Sequence, residues 1–405
     1  MKNENNKMFE EIKKLLEKQL GSDDTMEFCK VLIAQGSLVS DAEFSENDKK
    51  QIQFVIPAGA DLRILVDKII TLLKQILPAE KYFKLLLDFS DLMIYYGQLD
   101  YAAQIVEELI DKVKYNTLHL SLTAEAYLLM SKIWWSQANW EESLYYVHKA
   151  ERMFRLLKDT AGSARCENML GTIYGEKGEM DKALKHFEAA SSILNDNGEI
   201  ATNAAIESNL GVIYTILGDF DKAIWNYKNA KEKFEKLNDL RKLARIKHNL
   251  GMMYTRMEDF ESALDEFNGC ITISIDKGYL SNCAISYISK AYIYTKLNNP
   301  ALADAFTDKA MEIACRINDK LTVADVYKIK GMIFNNLQNF ELSEEFFENS
   351  LRLNKDFENQ LNEAEVSIEL AKTLQLKNRQ EEAEAYVNSA NNYFKNIKYN
   401  SSSDK

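Results

Sequence analysis

The side chains that most often carry out chemistry are scattered along this chain. None of the four histidines lies within helical reach of another histidine or a cysteine that would complete a metal site. No glycine-rich phosphate loop, zinc-protease motif or paired CxxC occurs in the sequence. Carboxylates such as Glu381, Glu382 and Glu384 fall on predicted exposed helix faces, where solvation explains them. We therefore predict a protein that is not an enzyme and that uses no cofactor and no metal.

Charge and cysteine usage restrict the partners and the compartment. The 405 residues carry a net charge of −12, with an isoelectric point near 5.1, which disfavours nonspecific binding to nucleic acid or anionic lipid. The five cysteines are odd in number and never in CxxC spacing, which indicates reduced thiols. The N-terminus lacks the apolar segment of a signal peptide, and charges interrupt the most apolar stretch, residues 64–77. We expect a cytoplasmic protein without nucleic-acid or membrane partners.

A pattern that returns every forty residues dominates the chain. It is clearest at one position that always holds a small residue. The members of this position are Ser131, Gly171, Gly211, Gly251, Ala291, Gly331 and Ala371. A fixed period of this length predicts a solenoid of stacked helical hairpins. The low content of proline (3) and glycine (15) also favours nearly continuous helix.

The period can be translated into helices in the unit that begins near residue 204. Gly211 and Tyr214 fall on one stripe of a first helix, which should end near Gly218 because glycine favours the left-handed conformation. Asp219 is a suitable cap for a second helix. Gly211 and Ala223 are small where the two helix axes must approach closely, so a larger side chain there would overpack the hairpin.

This order of residues resembles the tetratricopeptide repeat. The shared features are the small residue, an aromatic residue three later, the Gly-Asp turn and two alanines seven apart, as at Ala223 and Ala230. The longer period is similar to that of peptide-sensing bacterial regulators and kinesin light chains. The resemblance implies an all-α fold, a right-handed α-α superhelix with an N-terminal helical cap. It also implies eight hairpins over residues 81–398, with starts near residues 83, 124, 164, 204, 244, 284, 324 and 364. Residues 399–405 are predicted to be a disordered tail.

The resemblance also implies that the first helices line a groove for a partner. Transferring the register residue by residue gives ten candidate partner-binding residues: Trp135, Arg165, Asn168, Asn209, Arg245, His248, Asn249, Thr255, Arg256 and Lys296. Asn209 and Asn249 occupy the position at which related proteins clamp the backbone of an extended peptide, since an amide offers both a donor and an acceptor. The arginines could hold carboxylates of a protein or peptide partner.

Structural explanations for the same residues stay open. The two asparagines could satisfy neighbouring groups between repeats, and the basic run 241–248 could pair with acidic repeats beside it. Trp135 could pack between repeats rather than anchor a partner.

Residues 1–80 do not follow the period and could be a helical cap or a small accessory domain. Two functions follow: an adaptor that binds a peptide or protein segment in the groove, or a signal-gated regulator whose repeats control an output through residues 1–80. Self-association as a structural unit is a third alternative.

Overall fold

The computed structural model describes residues 2–40, 54–55, 62–95, 97–194, 199–357 and 359–402. The last three residues of the predicted tail, 403–405, lie outside this part. The chain divides into two compact units, Met1–Ile173 and Tyr174–Lys405. Each is built mainly from consecutive α-helices.

The first unit contains a short hairpin strand pair besides its helices. Val39–Ser40 (β1) and Phe54–Val55 (β2) pair antiparallel. The helices are α1 (Lys2–Leu20), α2 (Ser22–Ala34), α3 (Leu62–Ile76), α4 (Ala79–Tyr95), α5 (Leu99–Val113), α6 (Leu120–Ser136), α7 (Trp140–Leu157) and α8 (Thr160–Glu176), with a 3₁₀ turn at Thr117–His119. The last three residues of α8 belong to the second unit.

The second unit contains the most regular repeats. Its helices are α9 (Met180–Leu194), α10 (Ile200–Leu217), α11 (Phe220–Lys236), α12 (Leu240–Arg256), α13 (Phe260–Lys277), α14 (Leu280–Lys296), α15 (Pro300–Ile317), α16 (Lys320–Asn336), α17 (Phe340–Asp356), α18 (Gln360–Leu376) and α19 (Gln380–Ser402). These bounds confirm the all-α solenoid class. Helix α19 also extends into residues 399–402, which were predicted to be disordered.

The N-terminal helices share one hydrophobic core with the first hairpin. Phe9 and Leu16 of α1 and Leu32 of α2 are buried in the same cluster as Phe89 of α4. This continuity is what a helical cap on the first repeat requires, because a solenoid end otherwise exposes its apolar face.

A left-handed residue followed by a side-chain cap separates the helices. Gly218 has φ 80°, and the carboxylate of Asp219 then accepts a hydrogen bond from the Lys222 N–H at 3.3 Å. Glu258 occupies the same place one period later with φ 60°, although it has a Cβ. A left-handed residue other than glycine costs about 1–2 kcal/mol. The turn is therefore set by its position in the repeat more than by glycine.

We expect Glu258→Gly to raise the free energy of unfolding by about 0.5–1 kcal/mol, because relief of the left-handed strain exceeds the added freedom of the unfolded chain. Gly218→Ala should lower the free energy of unfolding, since φ is 80° and nothing lies within 4 Å of the added Cβ to compensate the strain. Chemical denaturation of both variants measures this. A shift in the same direction for both would contradict the explanation.

The hairpin cores pair glycine with an aromatic ring sixteen residues later. A Cβ added at Gly251 would lie 2.6 Å from a ring carbon of Phe267, and one at Gly211 would lie 2.5 Å from Tyr227. At the equivalent positions Ala291 is followed by Thr307, a smaller side chain. Both members of that pair are fully buried. A larger side chain at Gly211 would therefore overpack the hairpin, as expected, and the cause is the facing ring of Tyr227.

The aromatic residues that follow the small position on the first helices are only partly buried. Tyr214 and Tyr254 are only half-buried, at the border of the core clusters. Tyr227 and Phe267, on the second helices, are 2% and 0% exposed. The second helix therefore supplies the large buried ring of each hairpin.

Candidate partner-binding site

Four register positions on the first helices of the second unit form one surface. On α12 they are Arg245, Asn249, Met252 and Arg256, spaced by four, three and four residues, so that they lie on one side of the helix. We call these positions on α10, α12 and α14 the first-helix face. On α10 they are Ala205, Asn209, Val212 and Ile216, and on α14 they are Ile285, Ser289, Tyr292 and Lys296.

Arg245 is an exposed cation without a carboxylate partner in the described part of the chain. The reason lies in the register, because the equivalent residues on the neighbouring first helices are Ala205 and Ile285. Although the side chain reaches solvent, burial by the surrounding protein lowers the pKa of Arg245, and the Asp239 carboxylate acts in the opposite direction. An exposed guanidinium without a counter-ion can hold a carboxylate through two parallel hydrogen bonds.

Two more cations on the same face form no ion pair, and one amide forms no hydrogen bond, with other described residues. Arg256 and Lys296 are exposed equivalents forty residues apart, and neither forms an ion pair with another described residue. Each contacts a ring instead: the Arg256 Cζ lies 5.9 Å from the centroid of Phe220, and the Lys296 Nζ 5.4 Å from that of Tyr292. The half-buried Asn249 amide likewise makes no hydrogen bond within the described residues.

An apolar row crosses the face between the amide and cation positions. Val212 is 40% exposed, and Met252 and Tyr292 continue the row half-buried. Ile216 is 56% exposed in the cation row. It was not among the sequence candidates, although its place four residues after Val212 would have found it.

His248 and Thr255 are turned towards neighbouring structure. His248 Nδ1 lies 3.0 Å from the Ser286 hydroxyl of α14, and burial lowers the pKa of His248 to about 4, so the ring is neutral at pH 7. The Thr255 hydroxyl donates to the Gly251 carbonyl of its own helix at 2.8 Å. Asn209 is half-buried in the same register as Asn249.

The candidates in the first unit are placed differently. Arg165 donates to both carboxylate oxygens of Glu125, at 2.8 and 2.5 Å, so its charge is already neutralised and it is not the freely exposed group that the sequence suggests. Asn168 falls in the register of His248 rather than that of Asn249. Trp135 is half-buried, and its indole nitrogen is buried without a hydrogen-bond partner in the described residues.

Among the described residues, a half-buried histidine, a buried serine and a buried cysteine come nearest to a catalytic arrangement. Ser286 joins His248 to the Cys270 sulfur, to which its hydroxyl donates at 3.2 Å. Burial raises the pKa of Cys270 and lowers that of His248, which is the opposite of what an activated thiolate requires. The arrangement packs two repeats together.

The remaining tests for cofactor or membrane chemistry are negative where the structure can be described. Its residues contain no group of three histidine, cysteine or acidic side chains placed to hold a metal ion. No described helix is both long and apolar enough to cross a bilayer. The first-helix face therefore offers binding groups rather than reacting groups.

Comparisons with known proteins agree with the fold. Models of the tetratricopeptide repeat match residues 202–276, 165–196 and 324–357. A Rap protein complexed with competence and sporulation factor superposes with a TM-score of 0.60 (15% identity, 83% of this chain and 92% of that chain). Aspartyl phosphate phosphatase F from Bacillus subtilis superposes with a TM-score of 0.58 at 12% identity, over 96% of this chain and 92% of that chain. A STAND signal-transduction ATPase with a tetratricopeptide-repeat sensor from Pyrococcus horikoshii superposes with a TM-score of 0.58 at 14% identity, over 94% of this chain and 62% of that chain.

No curated protein sequence matches the chain. At 12–15% identity the solved structures establish a shared fold alone. Together with the matched repeats and the forty-residue register, they show that the chain contains tetratricopeptide repeats and has the fold seen in the solved Rap structures.

Proposed function

We propose that the chain binds a peptide or protein segment with acidic groups on the first-helix face of its second unit. The observation that carries this proposal is the coincidence of three uncommitted cations, Arg245, Arg256 and Lys296, with the uncommitted amide of Asn249. An extended segment has unpaired backbone groups that an amide can bond on both sides. The apolar row between amide and cations can take its side chains.

The similar structures support this proposal in one respect. One Rap protein was solved complexed with competence and sporulation factor, and another in complex with the Phr* peptide. This chain shares their repeat fold, in which first helices of successive repeats lie side by side. The residues that would bind a ligand here are argued from this chain alone.

A displayed library of random peptides tests the proposal on the full chain. We expect selection to enrich aspartate and glutamate, and Arg245→Glu to weaken the selected peptides at least tenfold, about 1.4 kcal/mol. Asn249→Ala should weaken peptides of every sequence, since it removes a backbone contact. Fluorescence anisotropy measures each affinity.

Lys185→Glu is the matched control, because it makes the same charge change on the exposed face of α9. Affinity that falls equally in Lys185→Glu and Arg245→Glu would assign the effect to net charge and reject the site. Arg165 is unsuitable for this test, since reversing it would place two carboxylates together at Glu125.

The alternative, a regulator with an output through residues 1–80, calls for surface variants rather than truncation. Deleting these residues would remove Phe9, Leu16 and Leu32 from a core shared with the first hairpin. Substitutions at the exposed Asp23 and Asp24 of α2 leave that core intact. Loss of an output in such variants, with peptide affinity unchanged, would favour the regulator.

A further inference from the structure

Lys290 is a buried cation that no carboxylate neutralises in the described part of the chain. The residue is 8% exposed, on α14. Its ammonium donates to the Asn268 Oδ1 at 2.6 Å and lies 4.2 Å from the centroid of the Phe306 ring. Buried charges in proteins are normally paired, because desolvation without a counter-ion is costly. An amide and a ring leave the full positive charge in place.

The next repeat provides an internal comparison. Lys330 occupies the same register, and its ammonium lies 2.8 Å from carboxylate oxygens of both Asp304 and Asp308. Shifted back by forty residues, those two carboxylates become Leu264 and Asn268. The counter-ions of the second lysine are therefore missing from the first.

Packing does not require a cation at this position. The equivalent residues Leu210, Leu250 and Leu370 are all buried leucines. Leucine would avoid the cost of desolvating an ammonium group. A lysine at this position is explained if its ammonium group binds an anionic ligand.

A second uncompensated cation lies beside the first. Lys309 of α15 is exposed, its Nζ is 5.8 Å from the centroid of the same Phe306 ring, and it forms no ion pair with a described residue. Desolvation, together with repulsion from Lys309, lowers the pKa of Lys290. Asn268 is exposed at the surface, and its Oδ1 is used by Lys290, so its NH₂ group remains a donor.

We propose that Lys290 of α14, Lys309 of α15 and Asn268 of α13 form an anion site that takes a phosphate group. Two positive charges match a phosphate dianion, whose several oxygens can accept from both ammonium groups and the amide at once. The site is distinct from the first-helix face and does not depend on peptide binding.

Calorimetric titration of the full chain at pH 7.5 and constant ionic strength tests the site. The probes are inorganic phosphate and phosphoserine, which separate a free anion from a phosphate monoester. We expect saturable binding of at least one probe. Asn268→Asp should weaken it at least tenfold, because the new carboxylate supplies the counter-ion that Asp308 gives to Lys330.

Folding of the variants is followed separately. Asn268→Asp should melt higher than the parent without phosphate, since Lys290 gains a partner, and phosphate should no longer raise its melting temperature. Lys290→Leu, which restores the residue found at the equivalent positions, should also remove binding. Gln375→Glu on the exposed side of α18 carries the same charge change and should bind like the parent.

Two results would overturn the proposal. One is that neither probe binds the parent chain. The other is that Asn268→Asp binds as tightly as Gln375→Glu, since binding would then take place elsewhere.

Discussion

Replacing Gly251 with alanine will lower the free energy of unfolding by about 1–3 kcal/mol, although alanine is the better helix former. The added Cβ would lie 2.6–2.9 Å from three ring carbons of Phe267. That ring is fully buried, so neither it nor the helix can yield without opening the hairpin core. Leucine at the same position should cost more. Chemical denaturation measures the total loss of unfolding free energy, and hydrogen exchange in α12 and α13 shows whether the loss is local to this hairpin.

A matched glycine and a compensating change make this prediction specific. Gly175→Ala should be neutral or stabilising, because its Cβ would meet only ordinary contacts at 3.6 Å and beyond. Phe267→Thr combined with Gly251→Ala reproduces the natural pair Ala291 and Thr307. We expect the double variant to be more stable than the sum of the single effects. Equal losses in the Gly175 and Gly251 variants would mean that helix backbone, and not the ring, is responsible.

The period made much of this fold predictable. Gly218 and Asp219 end one helix and begin the next as expected, because backbone conformation and capping depend on residues next to one another. Tyr254 was harder to place. A pattern of apolar positions identifies the side of a helix that faces inward, but the depth of burial depends on the partner helix, where Phe267 fills the centre.

The binding candidates differ for a similar reason. Arg165 and Arg245 occupy the same register, yet the residue forty positions earlier is Glu125 for one and Ala205 for the other. Comparing the repeats with each other would have separated the paired arginine from the unpaired one. His248 precedes Asn249 by one residue, which rotates it by about 100° around the helix and towards the next repeat. Lys290 was missed because a lysine in a charged sequence is conspicuous only once its equivalents are seen to be leucine.

Glu266 pairs with one residue of the basic run 241–248, Lys247, and its removal should be among the most damaging single changes. The carboxylate is 8% exposed and accepts from Lys231 at 2.5 Å and from Lys247 at 3.1 Å. Glu266→Ala would leave Lys247, whose side chain is only 17% exposed, without its counter-ion. Breaking a buried pair in this way costs about 3–5 kcal/mol, which denaturant titration would measure.

The other repeats indicate how that loss can be repaired. At the register of Lys247 and Glu266 three of them place two aromatic rings: Tyr127 with Tyr146, Tyr287 with Phe306 at 5.9 Å between centroids, and Tyr327 with Phe346. The double variant Lys247→Tyr, Glu266→Phe should therefore recover most of the stability, since well-packed apolar groups can replace a buried ion pair. Asp276→Ala is the control, because its pair with Lys277 is exposed and should contribute at most about 1 kcal/mol. If the aromatic double variant is no more stable than Glu266→Ala, the charge pair is required for the geometry of α12 against α13 and not only for mutual neutralisation.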